Sequence, residues 1–175
     1  NVSLITIAKI MKKTLLIIII FVLCNTSFAQ KESAFEKGEW FNFKMSYSGW
    51  MKAGEATLKV NEDVIDGKPV YHVVGKGKTI GAISWVFKVK DRYESYFDKE
   101  KLAPYRFIRD IDEGGHTKNI EIDFDQKNNK AHVFNVKHNS RKVIDTKPNV
   151  QDMVSTFYYL RNNVDVSTLK IDDEI

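Results

Sequence analysis

Cysteine is nearly absent from this 175-residue sequence, which has a single one, Cys24, inside an apolar N-terminal segment. The rest of the chain therefore cannot form disulfides, use a thiol nucleophile or build a cysteine-based metal site. Lipid attachment to Cys24 is not expected either, because a bacterial lipoprotein signal needs a small residue before the modified cysteine and this chain has Leu23. The domain must be stabilised by its hydrophobic core, which a chain of this length can supply.

Acidic residues are missing from the first 29 positions. Two lysines, Lys12 and Lys13, precede an apolar run from Leu15 to Leu23, and Ser27-Phe28-Ala29 then places small residues where a signal peptidase requires them. The run is shorter than the about 20 apolar residues that cross a bilayer. These features predict a secretory signal and no transmembrane anchor after its removal.

The resulting domain division assigns residues 1–10 to an over-extended translation, 11–29 to the signal peptide and 30–175 to a single domain. We expect the mature protein in the periplasm or outside the cell, associated with the envelope. Since three of the 27 basic residues lie in the first 29 positions, the remaining 146 residues carry 24 basic and 23 acidic side chains. Such a balanced domain lacks the basic face of a nucleic-acid-binding protein, so no nucleic-acid partner is expected.

Nucleotide and hydrolase motifs are also lacking. The segment Gly75-Lys76-Gly77-Lys78-Thr79 ends like a phosphate-binding loop, but His72 occupies the position of the first glycine that the loop needs. A glycine-rich strand end is the preferred interpretation. No G-x-S-x-G sequence is present. The sequence therefore predicts no nucleotide, no cofactor and no catalytic residues, and favours a protein that is not an enzyme.

Histidines are few, and the four present have no metal-binding spacing. The densest acidic group surrounds Gly114-Gly115 and includes Asp110 and Asp112, with Asp123 across the expected hairpin. A solvated hairpin tip is the ordinary interpretation, so no metal is expected. A glycan-processing enzyme that uses these acids remains an alternative, because paired carboxylates can act as acid and base.

Aromatic residues are abundant, with 19 in the 146 residues after Ala29, and they alternate with polar residues as in half-buried strands. The pattern predicts seven strands, at about residues 39–51, 54–61, 69–75, 87–97, 104–113, 116–125 and 130–138. In the hairpin around Gly114-Gly115, pairing of Glu113 with His116 would place Arg106 opposite Asp123.

The periodicity changes to that of a helix after Pro148, with Asn149 as the candidate N-cap. The predicted fold is mainly β: a strongly curved antiparallel meander, either a half-barrel or an open barrel, with one packed amphipathic helix near the C-terminus. A continuous apolar stretch at 80–87 lies between two of the strands.

We interpret the aromatic face and the apolar stretch as a site for an apolar ligand, such as a lipid, or for an envelope partner. Core packing, or a lid on the barrel, is the alternative interpretation. A structural or assembly protein without a pocket is the alternative function. The candidate ligand-binding residues are Phe41, Phe43, Tyr47, Trp85, Phe87 and Tyr93.

Four segments together resemble the bacterial "domain of unknown function 3108" family. They are G-E-W-F-N-F-K-M-S-Y at 38–47, A-G-E-A at 53–56, D-R-Y-E-S-Y-F-D at 91–98 and V-Q-D-M-V-S-T-F-Y-Y-L-R at 150–161. The resemblance implies an exported, envelope-associated antiparallel β protein with a helix, similar in outline to half-barrels that handle lipids or lipoproteins. It implies no catalytic residues. Because members of the family look longer, we also expect this chain to be truncated at its C-terminus.

Overall fold

The computed structural model describes residues 11–15 and 33–169. Residues 11–15 are helical, while 33–169 belong to a separate compact unit. Within these two ranges, no helix has the length and apolar character that crossing a membrane requires. The predicted cleavage site after Ala29 and the cysteine at position 24 lie outside the described residues, so the signal peptide and the domain division stay predictions.

The second unit is built around one antiparallel sheet of eight strands, arranged in chain order. The strands are β1 Trp40–Tyr47, β2 Met51–Ile65, β3 Lys68–Thr79, β4 Val89–Asp98, β5 Pro104–Glu113, β6 His116–Asp125, β7 Lys130–Asn135 and β8 Ser140–Asp145. The first and last strands each have one neighbour, so the sheet is open. The predicted antiparallel meander is confirmed.

The predicted count of seven strands was one too few. Strand β7 ends at Asn135, and a turn through Asn139, which has a φ of 46°, leads into β8. All six residues of β8 are exposed. An edge strand with no buried face has no apolar alternation, and that is why the periodicity did not reveal it.

The two faces of the sheet differ in character. In the row that joins β2 to β6, Val60, Val73, Ser95, Phe107 and Ile122 are paired in register, and a helix covers them. We call this side the helix face. The neighbouring rows, whose side chains point the other way, contain most of the charged residues, and we call that side the polar face.

The hairpin formed by β5 and β6 has the predicted register. Glu113 pairs with His116 across Gly114-Gly115, and both glycines have positive φ values, 61° and 88°. Arg106 lies opposite Asp123 on the polar face, with 2.6 Å between Arg106 Nε and Asp123 Oδ1. A two-residue glycine loop fixes the register because its tight turn leaves a single way to pair the strands.

Within residues 33–169 two helices accompany the sheet, besides a single turn of 3-10 helix at Val166–Thr168. Helix α1, Ile83–Val86, is one turn in the connection between β3 and β4. Helix α2, Met153–Asn163, is the predicted C-terminal helix. Its residues Val154 and Tyr158 are buried against the sheet together with Phe35, which precedes β1.

The predicted N-cap of α2, Asn149, was wrong. Asn149 has a φ of 57° and precedes the helix by several residues, whereas Asp152 is the N-cap. Asp152 Oδ1 accepts hydrogen bonds from the backbone N–H groups of Val154 and Ser155, and the Ser155 hydroxyl accepts one from the N–H of Asp152. Asp152 Oδ2 also accepts a bond from the Ser95 hydroxyl at 2.6 Å, which attaches the helix start to β4.

Candidate functional site

Helix α2 covers only part of the helix face. Its first turn is joined to β4 through Ser95 and Asp152. Its last turn reaches β1, where the Arg161 guanidinium donates to both carboxylate oxygens of Glu39, at 2.7 and 2.9 Å. Phe41 packs edge-on against Phe157, with 5.8 Å between the ring centroids. The helix therefore crosses the sheet at one level and leaves the rows beyond it uncovered.

The uncovered part contains very small residues in the first half of β2 and the second half of β3. Ala56 pairs with Gly77, Leu58 pairs with Gly75, and Gly54 pairs with Thr79. We call the four small residues Gly54, Ala56, Gly75 and Gly77 the trough. Because their side chains are a methyl group or a hydrogen atom, the surface there is lower than the surface formed by the neighbouring strands.

The space above the trough differs from one glycine to the next. A Cβ atom placed on Gly75 would lie 3.0 Å from Leu58 Cδ2, and one on Gly54 would lie 2.8 Å from Met45 Cε. A Cβ atom on Gly77 would meet no heavy atom within 4 Å. The opening is therefore centred on Gly77, in the row that runs from Phe43 on β1 through Ala56 and Gly77 to Asp91 on β4.

Apolar side chains border the trough on the β1 side. Phe43 stacks on Phe41, with 5.8 Å between the ring centroids, and Met45 leans over Gly54. Phe43 is 44% exposed and Met45 is 50% exposed. On the far side Ile111 is buried in the same row as Asp91. The borders are therefore suited to an apolar chain.

Polar groups border the trough on the β4 side. Among the described residues, Asp91 Oδ1 and Arg109 Nε are buried and have no hydrogen-bond partner. Burial, and then the charge of Glu113, raise the pKa of Asp91. Burial and the charge of Asp91 likewise raise the pKa of Tyr93, although the nearby Arg109 opposes them. Buried polar atoms normally have partners, so this border is suited to a polar group of a ligand.

The six predicted ligand-binding residues do not form one pocket. Phe41, Phe43 and Tyr93 lie on the helix face, but Phe41 packs under the helix and Tyr93 stacks with Phe107. Tyr47 lies at the far end of β1 and is largely exposed. Trp85 and Phe87 belong to the connection between β3 and β4.

Sequence reasoning missed the trough. Small residues at alternate positions, A-G-E-A in β2 and G-K-G in β3, were the sequence pattern that could have indicated it. Gly75 and Gly77 lie within a strand that pairs on both sides, and the glycine-rich strand end was the preferred interpretation of this segment.

A family model described as "Protein of unknown function (DUF3108)" matches residues 42–175. The chain belongs to the DUF3108 family. No curated protein and no solved structure matches the chain significantly. The resemblance read from the four sequence segments is therefore confirmed.

The segments that resemble the DUF3108 family contact one another in the structure. Glu39 of the first segment pairs with Arg161 of the last, and Ser95 of the third donates to Asp152 of the last. Asp91 and Tyr93 alternate with Ser95 on the helix face. In this chain the family-like residues thus attach the helix and border the trough.

A cleft of about 680 Å³ is lined mostly by residues of the polar face, and Gly77, Asp91 and Ile111, which share the row at the centre of the trough, also border it. Its charged residues come from β2, β3, β4 and β5, and they are Glu55, Lys76, Lys78, Lys90, Asp91, Arg92, Asp110 and Asp112. Lys78 pairs with Glu55 at 2.8 Å. With four basic and four acidic residues the lining of the cleft is balanced in charge.

A hydrogen-bonded group lies beside this cleft. His72 Nε2 is 2.6 Å from Glu94 Oε2, Arg92 Nε donates to Glu94 Oε1 at 2.7 Å, and the His72 ring stacks on Tyr96. Burial raises the pKa of Glu94, but the bonds from Arg92 and His72 outweigh it and the pKa is lowered. This carboxylate is held by its neighbours and is a structural ion-pair group.

The acidic residues near Gly114-Gly115 do not form a close pair. Asp123 is bound to Arg106, while Asp110 pairs in register with Asn119, so the two aspartates are four residues apart along β6, about 13 Å. Both are exposed. Within the described ranges, no group of three or more potential metal-binding side chains occurs. The glycan-processing alternative therefore loses its main support.

Proposed function

We propose that this protein is an exported, non-enzymatic binding module that holds an acyl-chain amphiphile, a lipid of the cell envelope, on the uncovered part of its helix face. The observation that carries the proposal is the open space above Gly77 between an apolar border and a polar one. The chain of the ligand would lie along the trough. Its polar end would meet Arg109 and Asp91.

Physical chemistry supports an amphiphile over a purely apolar ligand. Phe43 and Met45 offer apolar surface whose burial by a ligand contributes about 25 cal/mol per Å². Leaving the buried Arg109 Nε and Asp91 Oδ1 without partners costs free energy. A ligand with a polar end supplies partners to these atoms and apolar contacts to the aromatic border.

The test is binding of a fluorescent fatty acid, dansylaminoundecanoic acid, to the full chain and to two matched variants. Gly77→Leu fills the opening, because nothing lies within 4 Å of the added side chain's first atom. Lys76→Leu adds a leucine one residue earlier, where strand alternation directs the side chain to the polar face. We expect Gly77→Leu to abolish the fluorescence enhancement and Lys76→Leu to leave it unchanged.

Equal binding by both variants would show that the probe occupies another surface. Absence of binding by the unmodified chain, after lipid extraction has removed any bound ligand, would contradict the proposal outright. Thermal unfolding of each variant controls for folding.

A second candidate function is an assembly protein that works by strand addition. It is supported by the edge of β1, an eight-residue strand whose outer side has no neighbour in the described sheet. A proline at Asn42 would remove one backbone donor from β1. Loss of a partner after Asn42→Pro, with fatty-acid binding retained, would favour this function over the first.

A further inference from the structure

The end of the sheet where β1 turns into β2 exposes an unusual amount of aromatic surface. Five large side chains lie there, at the end of β1, in the β1–β2 turn and in the β3–β4 connection, and we call them the tryptophan tip: Tyr47, Trp50, Trp85, Val86 and Phe87. Trp85 is 91% exposed, Val86 89%, Trp50 79% and Tyr47 69%. None of them contributes to the core.

The two connections are neighbours. The N–H of Ile80 donates to the carbonyl of Ala53 at 3.0 Å, and Gly81 approaches the carbonyl of Lys52 so closely that a Cβ atom would lie 3.2 Å away. Phe87 lies against Gly114 of the next hairpin at the same end. The apolar side chains therefore belong to one continuous end of the molecule.

Basic residues accompany the tryptophan tip. Residues 44–54 and 76–90 contain six lysines and no acidic residue. Lys78 is paired with Glu55, and Lys90 lies opposite Asp112. Lys44, which lies opposite Glu55, is exposed, as are Lys52 and Lys88, and no ion pair with these three lysines occurs among the described residues.

We infer that the tryptophan tip docks on an anionic lipid bilayer. Tryptophan and tyrosine favour the membrane–water interface, where the ring is partly buried and its polar atom stays hydrated. Lysines beside such rings are attracted to anionic headgroups, and this attraction is the charge complementarity that selects a bilayer over another apolar surface. The inference does not depend on acyl-chain binding in the trough.

The docking would also orient the trough. Phe43, Met45 and Tyr47 follow one another on the same face of β1, from the edge of the helix to the tryptophan tip. An interfacial position of Trp50 and Trp85 places this apolar line at the membrane surface.

The test is co-sedimentation of the full chain with phosphatidylcholine vesicles that contain phosphatidylglycerol, compared with phosphatidylcholine alone. Trp50→Ala combined with Trp85→Ala should weaken partitioning by at least about tenfold, because two large rings lose their interfacial contacts. The matched control is Trp40→Ala, since Trp40 is also 62% exposed but lies at the other end of β1. It should bind as the unmodified chain does.

The lysines are tested separately. Lys52→Glu with Lys88→Glu should weaken binding to the anionic vesicles by at least about tenfold, and added salt should reduce the difference. Lys127→Glu with Lys147→Glu is the control of equal charge at the opposite end of the sheet. Every variant carries the same N-terminal segment, so the comparison reports the tip alone.

Equal losses in the tip and control variants would overturn the inference. Equal binding to both kinds of vesicle would do so as well. The tryptophan tip could instead contact a second copy of the chain, and sedimentation equilibrium without vesicles tests this alternative. If the chain is a dimer and Trp50→Ala with Trp85→Ala makes it a monomer, the tip is a self-association surface. All these replacements are at exposed positions, and circular dichroism would verify that each variant is folded.

Discussion

The covered and uncovered parts of the helix face have the same alternating sequence pattern, but only the covered part is buried. In the row under the helix, Val60, Val73 and Phe107 are buried and form the core. Phe43 lies on the same face, two helix-face rows from Val60. The residues around it alternate just as regularly, yet the helix does not reach them. Alternation therefore specifies which side of a strand is apolar, while the position of the covering helix decides where that side becomes core and where it stays available.

The largest expected effect is at the centre of the covered part. Tyr158→Ala should destabilise the domain by about 3–5 kcal/mol, because Tyr158 is fully buried among Phe35 and Phe97. Tyr158→Phe should cost far less, since the buried hydroxyl has no hydrogen-bond partner among the described residues. Urea unfolding would measure both. A large loss of stability in Tyr158→Phe would show that the hydroxyl has a hydrogen-bond partner.

The same burial has a spectroscopic consequence. Burial, followed by the charge of Glu39, raises the pKa of Tyr158 to about 12. Tyrosinate absorbance should therefore contain a component that ionises only near pH 12, and this component should be missing from Tyr158→Phe.

The boundary between the two parts can be tested with adjacent phenylalanines. Phe41→Ala removes contacts with Phe157 and with the Arg161 guanidinium, and should cost about 2 kcal/mol. Phe43→Ala removes a partly exposed ring outside the helix and should cost less than about 1 kcal/mol. Chemical unfolding would give both values. Equal losses would erase the distinction between covered and uncovered rows.

The helix start gives a smaller, pH-dependent effect. Burial raises the pKa of Asp152, although bonds from Ser95 and the helix N–H groups oppose it. The folded state therefore holds the proton more tightly than the unfolded chain. The contribution of this group to stability is present below the ordinary pKa of an aspartate and declines as the pH rises through the folded value.

Asp152→Asn keeps an N-cap of similar strength but does not titrate. Relative to this variant, the unmodified chain should lose stability as the pH rises above about 4. Denaturant unfolding at a series of pH values would show the trend, and a difference that is constant with pH would contradict it. Asp152→Ala, which removes the cap and also does not titrate, should cost about 1–2 kcal/mol below pH 4 and less as the pH rises.

The smallest effects come from the trough. Gly77→Ala should be neutral or should stabilise by up to about 1 kcal/mol, because the methyl group meets nothing and the unfolded chain loses freedom. Gly75→Ala should destabilise, since Leu58 lies 3.0 Å from the added atom. The melting temperature should thus fall in Gly75→Ala and stay unchanged or rise in Gly77→Ala. A loss in Gly77→Ala would mean that the opening is closed in solution.

Much of the sheet could be predicted because its information is local. The Gly114-Gly115 loop and the residues beside it determine the β5–β6 register without reference to the rest of the molecule. The N-cap, Asp152, makes local bonds to Val154 and Ser155, and its second carboxylate oxygen accepts a bond from Ser95, 57 positions away, which local sequence does not predict. The trough was hidden for a related reason: Ala56, Gly77 and Asp91 become neighbours only when three strands are aligned.

The pair formed by Glu39 and Arg161 joins residues 122 positions apart. Every strand of the meander pairs with the one before it, so the sheet can grow as the chain lengthens. Packing of the helix on the sheet brings together residues that are far apart in the sequence. Contacts of this kind form slowly during folding. The apolar row under the helix therefore stays bare until the chain has been completed past Arg161, and during synthesis this row is the surface most in need of protection from aggregation.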